Sequence, residues 1–139
     1  MAFFLLDTDI LSLYQRSHGQ VLAAIANHAT DQICLSSISL EEQISGWSGL
    51  ARNAKSHKDQ ERASVLLATA VVSWNRFAIV PMTQRAFERF ERLVAARLNV
   101  RYNDLRIAAI GLELGATLVS RNTRDFGRVP GLVTEDWAI

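Results

Sequence analysis

Asp7, Glu42, Asp104 and Asp125 are the residues of this chain best placed to do chemistry. Asp7 closes the apolar run Phe3-Phe4-Leu5-Leu6, Glu42 lies just beyond the stretch Gln32–Ser36, Asp104 opens a long apolar helical pattern, and Asp125 follows Ala116–Ser120 together with Asn122. Carboxylates that separate loops bring to one rim repel one another, and a structure that accepts this usually holds a hard cation such as Mg²⁺ or Mn²⁺. Such a cation lowers the pKa of a bound water and steadies the charge that develops at a phosphodiester under in-line attack. No histidine is required, and His18, His28 and His57 are scattered without an acid or serine partner at a telling spacing. Each acid also has a plain structural use. Asp7 can close an Asx-turn, Glu42 can complete a capping box with Ser39, Asp104 can cap a helix, and Asp125 can start a helical turn. Four of them placed at element ends are harder to explain as caps alone.

A doubly covered parallel sheet would bring these positions together. Four large apolar residues from Phe3 to Leu6 read as a strand buried on both faces. Thr8 or Asp9 then caps a helix through Ile10, Leu11, Leu13 and Tyr14, broken at Ser17-His18-Gly19, and a second helix covers Val21–Asn27. Gln32–Ser36 is the second strand, followed by a helix with Ile38, Leu40 and Ile44 inward and Gly46 and Gly49 in or near its continuation. Lys55–Arg62 reads as a charged bend, Ala63–Phe77 as a largely buried helix, and Ala78–Met82 as a third strand. Thr83 caps a helix over Gln84–Leu98 with Phe87, Phe90, Val94 and Leu98 on the core side. Arg85, Arg89 and Arg92 line another face, there for a Glu88–Arg92 pair or for phosphate contact. Leu105–Leu114 is a strongly apolar helix ended by Gly115, Ala116–Ser120 is the fourth strand, and Leu132-Val133-Thr134 can close the sheet. Strands separated by helices of ten or more residues predict an α/β fold in three layers, α/β/α, around a parallel sheet of four to five strands. Ligands of such sheets bind beyond the carboxyl ends of the strands, where Asp7 stands.

Composition sets the limits. A chain of 139 residues, 49% apolar and 21% charged, predicts one folded domain over residues 1–139 and excludes disorder as the main state. Cys34 is the only cysteine, so no internal disulfide forms and a reducing compartment fits; its apolar neighbours suggest a buried thiol. The longest uncharged run, Ala63–Asn75, is too short for a bilayer, and no basic segment precedes the opening apolar run, so a soluble, unexported protein is expected. The net charge is +1, but 13 arginines outnumber 2 lysines, and arginine is the better bidentate partner of phosphate. An acidic hole in a basic surround suits an enzyme that acts on a polyanion. Trp47, Trp74 and Trp137 are assigned to packing.

The order Leu5-Leu6-Asp7-Thr8-Asp9-Ile10-Leu11, Ser36-Ser37-Ile38-Ser39-Leu40-Glu41-Glu42 with Gly46, Asn103-Asp104 with Ile107-Ala108, and Ser120-Arg121-Asn122-Thr123-Arg124-Asp125-Phe126 resembles the PIN-domain ribonucleases. Within them it looks like the VapC-type toxins of bacterial toxin–antitoxin pairs, over nearly the whole chain. The resemblance implies a PIN-like domain in which Asp7 and Asp104 are the principal Mg²⁺ ligands and Glu42 binds metal through water or positions the nucleophile. Asp125 would be the last acid, with Ser120 and Asn122 as polar neighbours of the scissile phosphate. It also implies a cytoplasmic bacterial protein, dimeric, silenced by a VapB-type antitoxin, that hydrolyses structured RNA to a 5′-phosphate and a 3′-hydroxyl. Asn122–Phe126 and Gly131–Trp137 look most like a subgroup that cleaves initiator tRNA. Three positions depart from the family pattern: Asn122 where many members carry an acid, Ser120 where threonine is common, and Gln43 where an apolar residue is usual. The first bears on a second metal position. Glu41 is out of register for the site and is expected to face solvent.

Two other readings use the same residues. Asp7-Thr8-Asp9 after a buried strand also opens haloacid-dehalogenase-like phosphatases, in which the first Asp is a covalent nucleophile. That reading wants a threonine or valine where Leu11 stands and a lysine later in the chain, for which only Lys55 and Lys58 are available. The other is a non-catalytic PIN-fold module that binds RNA or protein. Retention of Asp7, Glu42 and Asp104 weighs against it, because an acidic cluster without metal only weakens RNA binding.

Overall fold

The opening apolar run is a strand at the centre of the sheet, and the fold is laid out to either side of it. The computed structural model describes residues 2–139. Its elements are β1 (Phe3–Leu6), α1 (Thr8–Gln15), α2 (Gly19–Asn27), β2 (Gln32–Ser36), α3 (Ser37–Asn53), α4 (His57–Trp74), β3 (Ala78–Val80), α5 (Gln84–Ala95), α6 (Tyr102–Leu114), β4 (Thr117–Val119), α7 (Thr123–Phe126) and β5 (Thr134–Glu135). The five strands are all parallel in the order β3-β2-β1-β4-β5. Helices cover both faces, which makes the expected three layers.

Side chains of successive strand residues point to opposite faces, and each strand therefore feeds two cores. Leu5, Cys34 and Leu118 enter one with Phe90, Ile107 and Phe126, on the side of α5, α6 and α7. Phe4, Leu6, Leu35 and Val119 enter the other with Ile10, Leu11 and Trp74, under α1, α2 and α4. Leu5, Leu6, Leu35, Leu118 and Val119 are fully buried. This burial from both sides is why the strands read as continuous apolar runs rather than as alternating ones. Cys34 is a buried free thiol, and burial pushes its pKa up.

The topology also fixes where a site can form. The chain moves from β1 outward to β2 and β3, then returns to the other side of β1 for β4 and β5. The crossovers thus diverge between β1 and β4, and the crevice past their carboxyl ends is where open α/β sheets bind ligands. Leu6 is in register with Leu35 on one side and Val119 on the other, so Asp7, Ser36 and Ser120 leave the sheet at one level. The Asp7 amide donates to the Val119 carbonyl at 2.8 Å, carrying the pairing one residue past the strand. Gly115, at φ 65°, closes α6 in the left-handed conformation that glycine adopts at low cost and turns the chain into β4.

Several elements differ from the sequence reading. The charged stretch Lys55–Arg62 is mostly not a bend: Ser56 caps α4 by accepting from the Asp59 amide at 3.2 Å, and the helix begins at His57. Nor is that helix largely buried, since only Ala63, Ala70 and Trp74 are covered while Val65, Leu66 and Val72 are exposed. The core stripe of α5 is Ala86, Phe90 and Leu93, not Phe87 and Val94, which are exposed; Ile44 on α3 is exposed as well. That helix stops at Ala95, and Leu98 packs on the core from the following loop. The arginine row is structural in part: Arg89 pairs with Glu113 of α6 at 3.1 Å and Arg85 reaches the same acid at 3.9 Å. The closing strand is Thr134–Glu135 rather than Leu132–Thr134. Trp137 packs on Phe4 and stacks on His28 with ring centroids 4.6 Å apart. No helix among the described residues is long and apolar enough to cross a membrane.

Candidate metal centre

Asp7 is the residue that ties the site to the sheet. It is the N-cap of α1, with Oδ1 accepting from the Thr8 amide at 2.8 Å and Oδ2 accepting from the Ser120 hydroxyl at 2.8 Å. The second bond crosses from the end of β1 to the end of β4. Ser120 is fully buried, and its oxygen accepts in turn from the Asn122 amide at 2.9 Å. Glu42 arrives from the second turn of α3, which starts where Ser36 caps it by accepting from the Ser39 amide. Its Oε1 accepts from the Thr8 hydroxyl at 2.8 Å, so Glu42 is held by the residue after Asp7 and not by a capping box. Asp104 lies in the first turn of α6, one residue pair inside the Arg101 N-cap, and is buried; it is no cap either.

Asp7, Asp9, Glu42 and Asp104 all line one open cavity of about 310 Å³, with Arg101 and Asn122 also in its wall. Asp9 was expected only as a helix cap. Because α1 begins at Thr8, Asp9 falls in the first helical turn, where Oδ2 accepts from the Arg121 amide at 3.1 Å. Its other oxygen, Oδ1, is buried and has no hydrogen-bond partner among the described residues. Asp125 is the one acid of the expected set that does not line the cavity. It sits on α7, accepting from Asn122 Nδ2 at 3.0 Å and from Arg128 Nη1 at 2.8 Å, and these bonds hold its carboxyl below its usual range. Asn122 therefore reaches the cavity with its amide anchored by Asp125. Glu41 points away, 62% exposed and 3.5 Å from Arg106.

The electrostatics follow from burial and crowding. Desolvation, then the charge of Asp9, raises Asp7 to a pKa of about 7, despite the hydrogen bonds from Ser120 and Thr8 that favour its anion. Asp9 is raised too, chiefly by burial. Among the described residues no three Asp, Glu, His or Cys side chains are gathered tightly enough to hold a cation as they stand. Each acid is held by a protein partner: Asp7 by Thr8 and Ser120, Glu42 by Thr8, and Asp104 by Arg101, whose Nε is 3.4 Å from Oδ2. The donor set nevertheless fits a hard divalent cation. Its ligating atoms are carboxylate, hydroxyl and amide oxygens, burial raises the pKa of two of the acids, and one buried carboxylate oxygen has no partner among the described residues. Lys55 and Lys58 are exposed at the α3–α4 turn, away from the cavity, and no histidine lines it.

The sequence profile of the PIN domain matches residues 4–132. The chain belongs to the PIN-domain family. It is also similar to ribonuclease VapC2 of Rickettsia felis, 28% identical over 142 residues, with 96% of this chain and 97% of that protein covered. The PIN fold of the chain matches that in a crystal structure of DNA-bound VapBC from Salmonella typhimurium, with a TM-score of 0.77, 25% identity and 99% of both chains covered. It also matches VapBC2 of Rickettsia felis bound to a DNA fragment from its promoter, with a TM-score of 0.72, 24% identity, and 97% and 98% covered.

Proposed function

We infer that this PIN domain is a metal-dependent endoribonuclease of the VapC type, the toxin of a toxin–antitoxin pair. The observation that carries the reading is the cavity at the β1–β4 divergence, where Asp7, Asp9, Glu42 and Asp104 meet and Asp9 Oδ1 is buried without a partner. The similarity to a ribonuclease and to the toxin chains of VapBC complexes supports it. A cytoplasmic bacterial location, a homodimer, a VapB-type antitoxin and a structured RNA substrate, with initiator tRNA the first candidate, belong to the same reading.

In this reading Asp7, Asp9 and Asp104 hold Mg²⁺ or Mn²⁺, with Glu42 at its edge. When bound, the cation makes a water nucleophilic near neutral pH and offsets charge on the phosphodiester. The chain's own residues do the rest. Ser120 fixes the rotamer of Asp7, and Thr8 holds Glu42 by one oxygen and leaves the other to orient a water. Asn122, steadied by Asp125, presents its amide at the cavity wall beside the scissile phosphate. Asp125 acts through Asn122 and Arg128 rather than as a ligand. The phosphatase alternative lacks its lysine, since neither Lys55 nor Lys58 lines the cavity that holds Asp7.

The test is incubation of a total tRNA pool with the purified protein and Mg²⁺ or Mn²⁺, alongside EDTA, Asp104→Asn and Glu42→Gln. Discrete fragments that EDTA abolishes, and that fall by about 100-fold or more in Asp104→Asn, are expected. Fragments that persist in EDTA, or that Asp104→Asn produces at the wild-type rate, would sink the reading.

A further inference from the structure

The loop between α5 and α6 delivers a cation to the acidic cavity. Arg101 is 77% exposed, lies at the cavity wall, and places Nε 3.4 Å from Asp104 Oδ2. It shares that cavity with Asp7, Asp9, Glu42 and Asp104, so the guanidinium sits in the field of four acids. The contact is nonetheless slight. It is single and long, and the two Nη groups make no hydrogen bond to the described residues. Helix α6 does not need it either, since Arg101 occupies the N-cap without a side-chain capping bond.

The loop itself is held firmly. Arg97 and Asn99 adopt φ of 53° and 59°, left-handed conformations of which the first ends α5 just past its C-cap Ala96 and the second is one that asparagine accepts readily. The Asn99 carbonyl accepts from Arg128 Nη1 at 3.0 Å, and that guanidinium is also bound to Asp125. A loop tied at Asn99 that presents one exposed guanidinium at the mouth of the cavity is a positioning device. If Arg101 served only to neutralise Asp104, a closer two-pronged pair would do so better.

Building on the ribonuclease reading, we propose that Arg101 contacts the phosphate of bound RNA at the cleavage site, and that its pairing with Asp104 is the resting position it leaves when the acids take up metal. A divalent cation on Asp104 cancels the attraction that parks Arg101 there, and a single long contact to a guanidinium as exposed as this one is weak to begin with. The released guanidinium then has its planar fork free for two non-bridging oxygens, which lysine cannot match. Arg101 both competes with the metal and serves the substrate.

Two readouts separate these effects: Mn²⁺ binding followed by electron paramagnetic resonance, and RNA cleavage measured across a salt series. Both are applied to wild type, Arg101→Ala, Arg101→Lys, and Arg85→Ala as a control for lost positive charge far from the cavity. Arg101→Ala should bind Mn²⁺ a few-fold tighter, roughly 2- to 5-fold, because its competitor for Asp104 is gone. It should cleave roughly 10- to 100-fold more slowly in kcat/KM, with a salt dependence shallower by about 0.7 in log–log slope, one phosphate contact. Arg101→Lys should keep the salt slope and recover only part of the rate. Cleavage by Arg101→Ala within about twofold of Arg85→Ala, with the same salt slope, overturns the proposal. Wild type that binds Mn²⁺ yet cuts no RNA is a different failure, that of the ribonuclease reading on which it rests.

Discussion

Replacing Asp7 with asparagine should make the metal-free protein more stable at pH 8 and less stable at pH 4. In the fold Asp7 has a pKa of about 7, against 3.8 for an ordinary aspartate, so the folded state holds its proton more tightly than the unfolded chain does. Below about pH 4 both states are protonated and no penalty exists. Between about pH 4 and 7 the unfolded chain ionises while the folded one resists, and stability falls by up to about 1.4 kcal/mol per pH unit. Above pH 7 the cost is complete at about 4 kcal/mol, shared in part with Asp9. Asparagine removes that cost and keeps the bond from the Thr8 amide, but it gives up the one from the Ser120 hydroxyl, worth about 1 kcal/mol. The expected net gain at pH 8 is therefore about 2 to 3 kcal/mol, or roughly 1 M in urea midpoint. At pH 4 only the lost hydrogen bond remains and the variant is the weaker by about 1 kcal/mol. Urea titrations followed by circular dichroism in EDTA at the two pH values test this. Saturating Mg²⁺ should then close the gap at pH 8 by stabilising wild type alone. A variant that loses stability at pH 8 without metal, or differs from wild type equally at both pH values, refutes the account of Asp7 as a buried charge that the fold tolerates for its chemistry.

Two further substitutions probe residues whose roles the geometry redefines. Asp125→Asn, which keeps the partner of Asn122 but weakens the clamp through Arg128 to Asn99, should slow RNA cleavage by only about 2- to 10-fold while leaving Mn²⁺ affinity within about twofold; a loss as deep as that of Asp104→Asn would restore Asp125 as a ligand. Gln43→Leu should lower stability by about 2 to 4 kcal/mol in a urea titration, because Gln43 accepts from Trp74 Nε1 at 2.9 Å and donates to Gln15 Oε1 at 2.8 Å, and both groups would be left unpaired, while Gln15 Nε2 keeps its bond to the Ser73 hydroxyl at 3.0 Å. A change below about 0.5 kcal/mol would mean that water replaces the amide without cost.

The strands and the acids beyond them were legible because burial on both faces leaves an apolar run with a sharp polar end, and Asp7 is such an end. Asp9 was hidden by one question of register. With Thr8 or Asp9 as the cap it would stay at the helix entrance, whereas Asp7 as cap rotates it into the cavity wall. That Asp125 stands outside the cavity wall and Arg101 within it was hidden for another reason. Each has partners three residues away, Asn122 and Arg128 in one case and Asp104 in the other, and spacing alone cannot say whether such a neighbour is a helical pair or the edge of a site. On α5 the stripes through Phe87, Phe90 and Val94 and through Ala86, Phe90 and Leu93 have nearly the same period, and only packing against α6 selects the second. For α4 apolar composition suggested burial, but a helix paired mainly with α3 covers just one face.

The bond from Ser120 to Asp7 spans 113 residues, and β1 has β4 as one of its two neighbours. On the ribosome the strand that carries Asp7 therefore emerges before its second neighbour and waits for it while more than a hundred further residues are made. At ordinary synthesis rates that interval is on the order of ten seconds. Throughout it, Asp7 lacks the hydroxyl that sets its rotamer, Asp104 and Asn122 arrive only toward the end, and no shortened product that stops before β4 can assemble the cavity. The acids and the hydroxyl that positions Asp7 thus come together only after the whole span from β1 to β4 has been made.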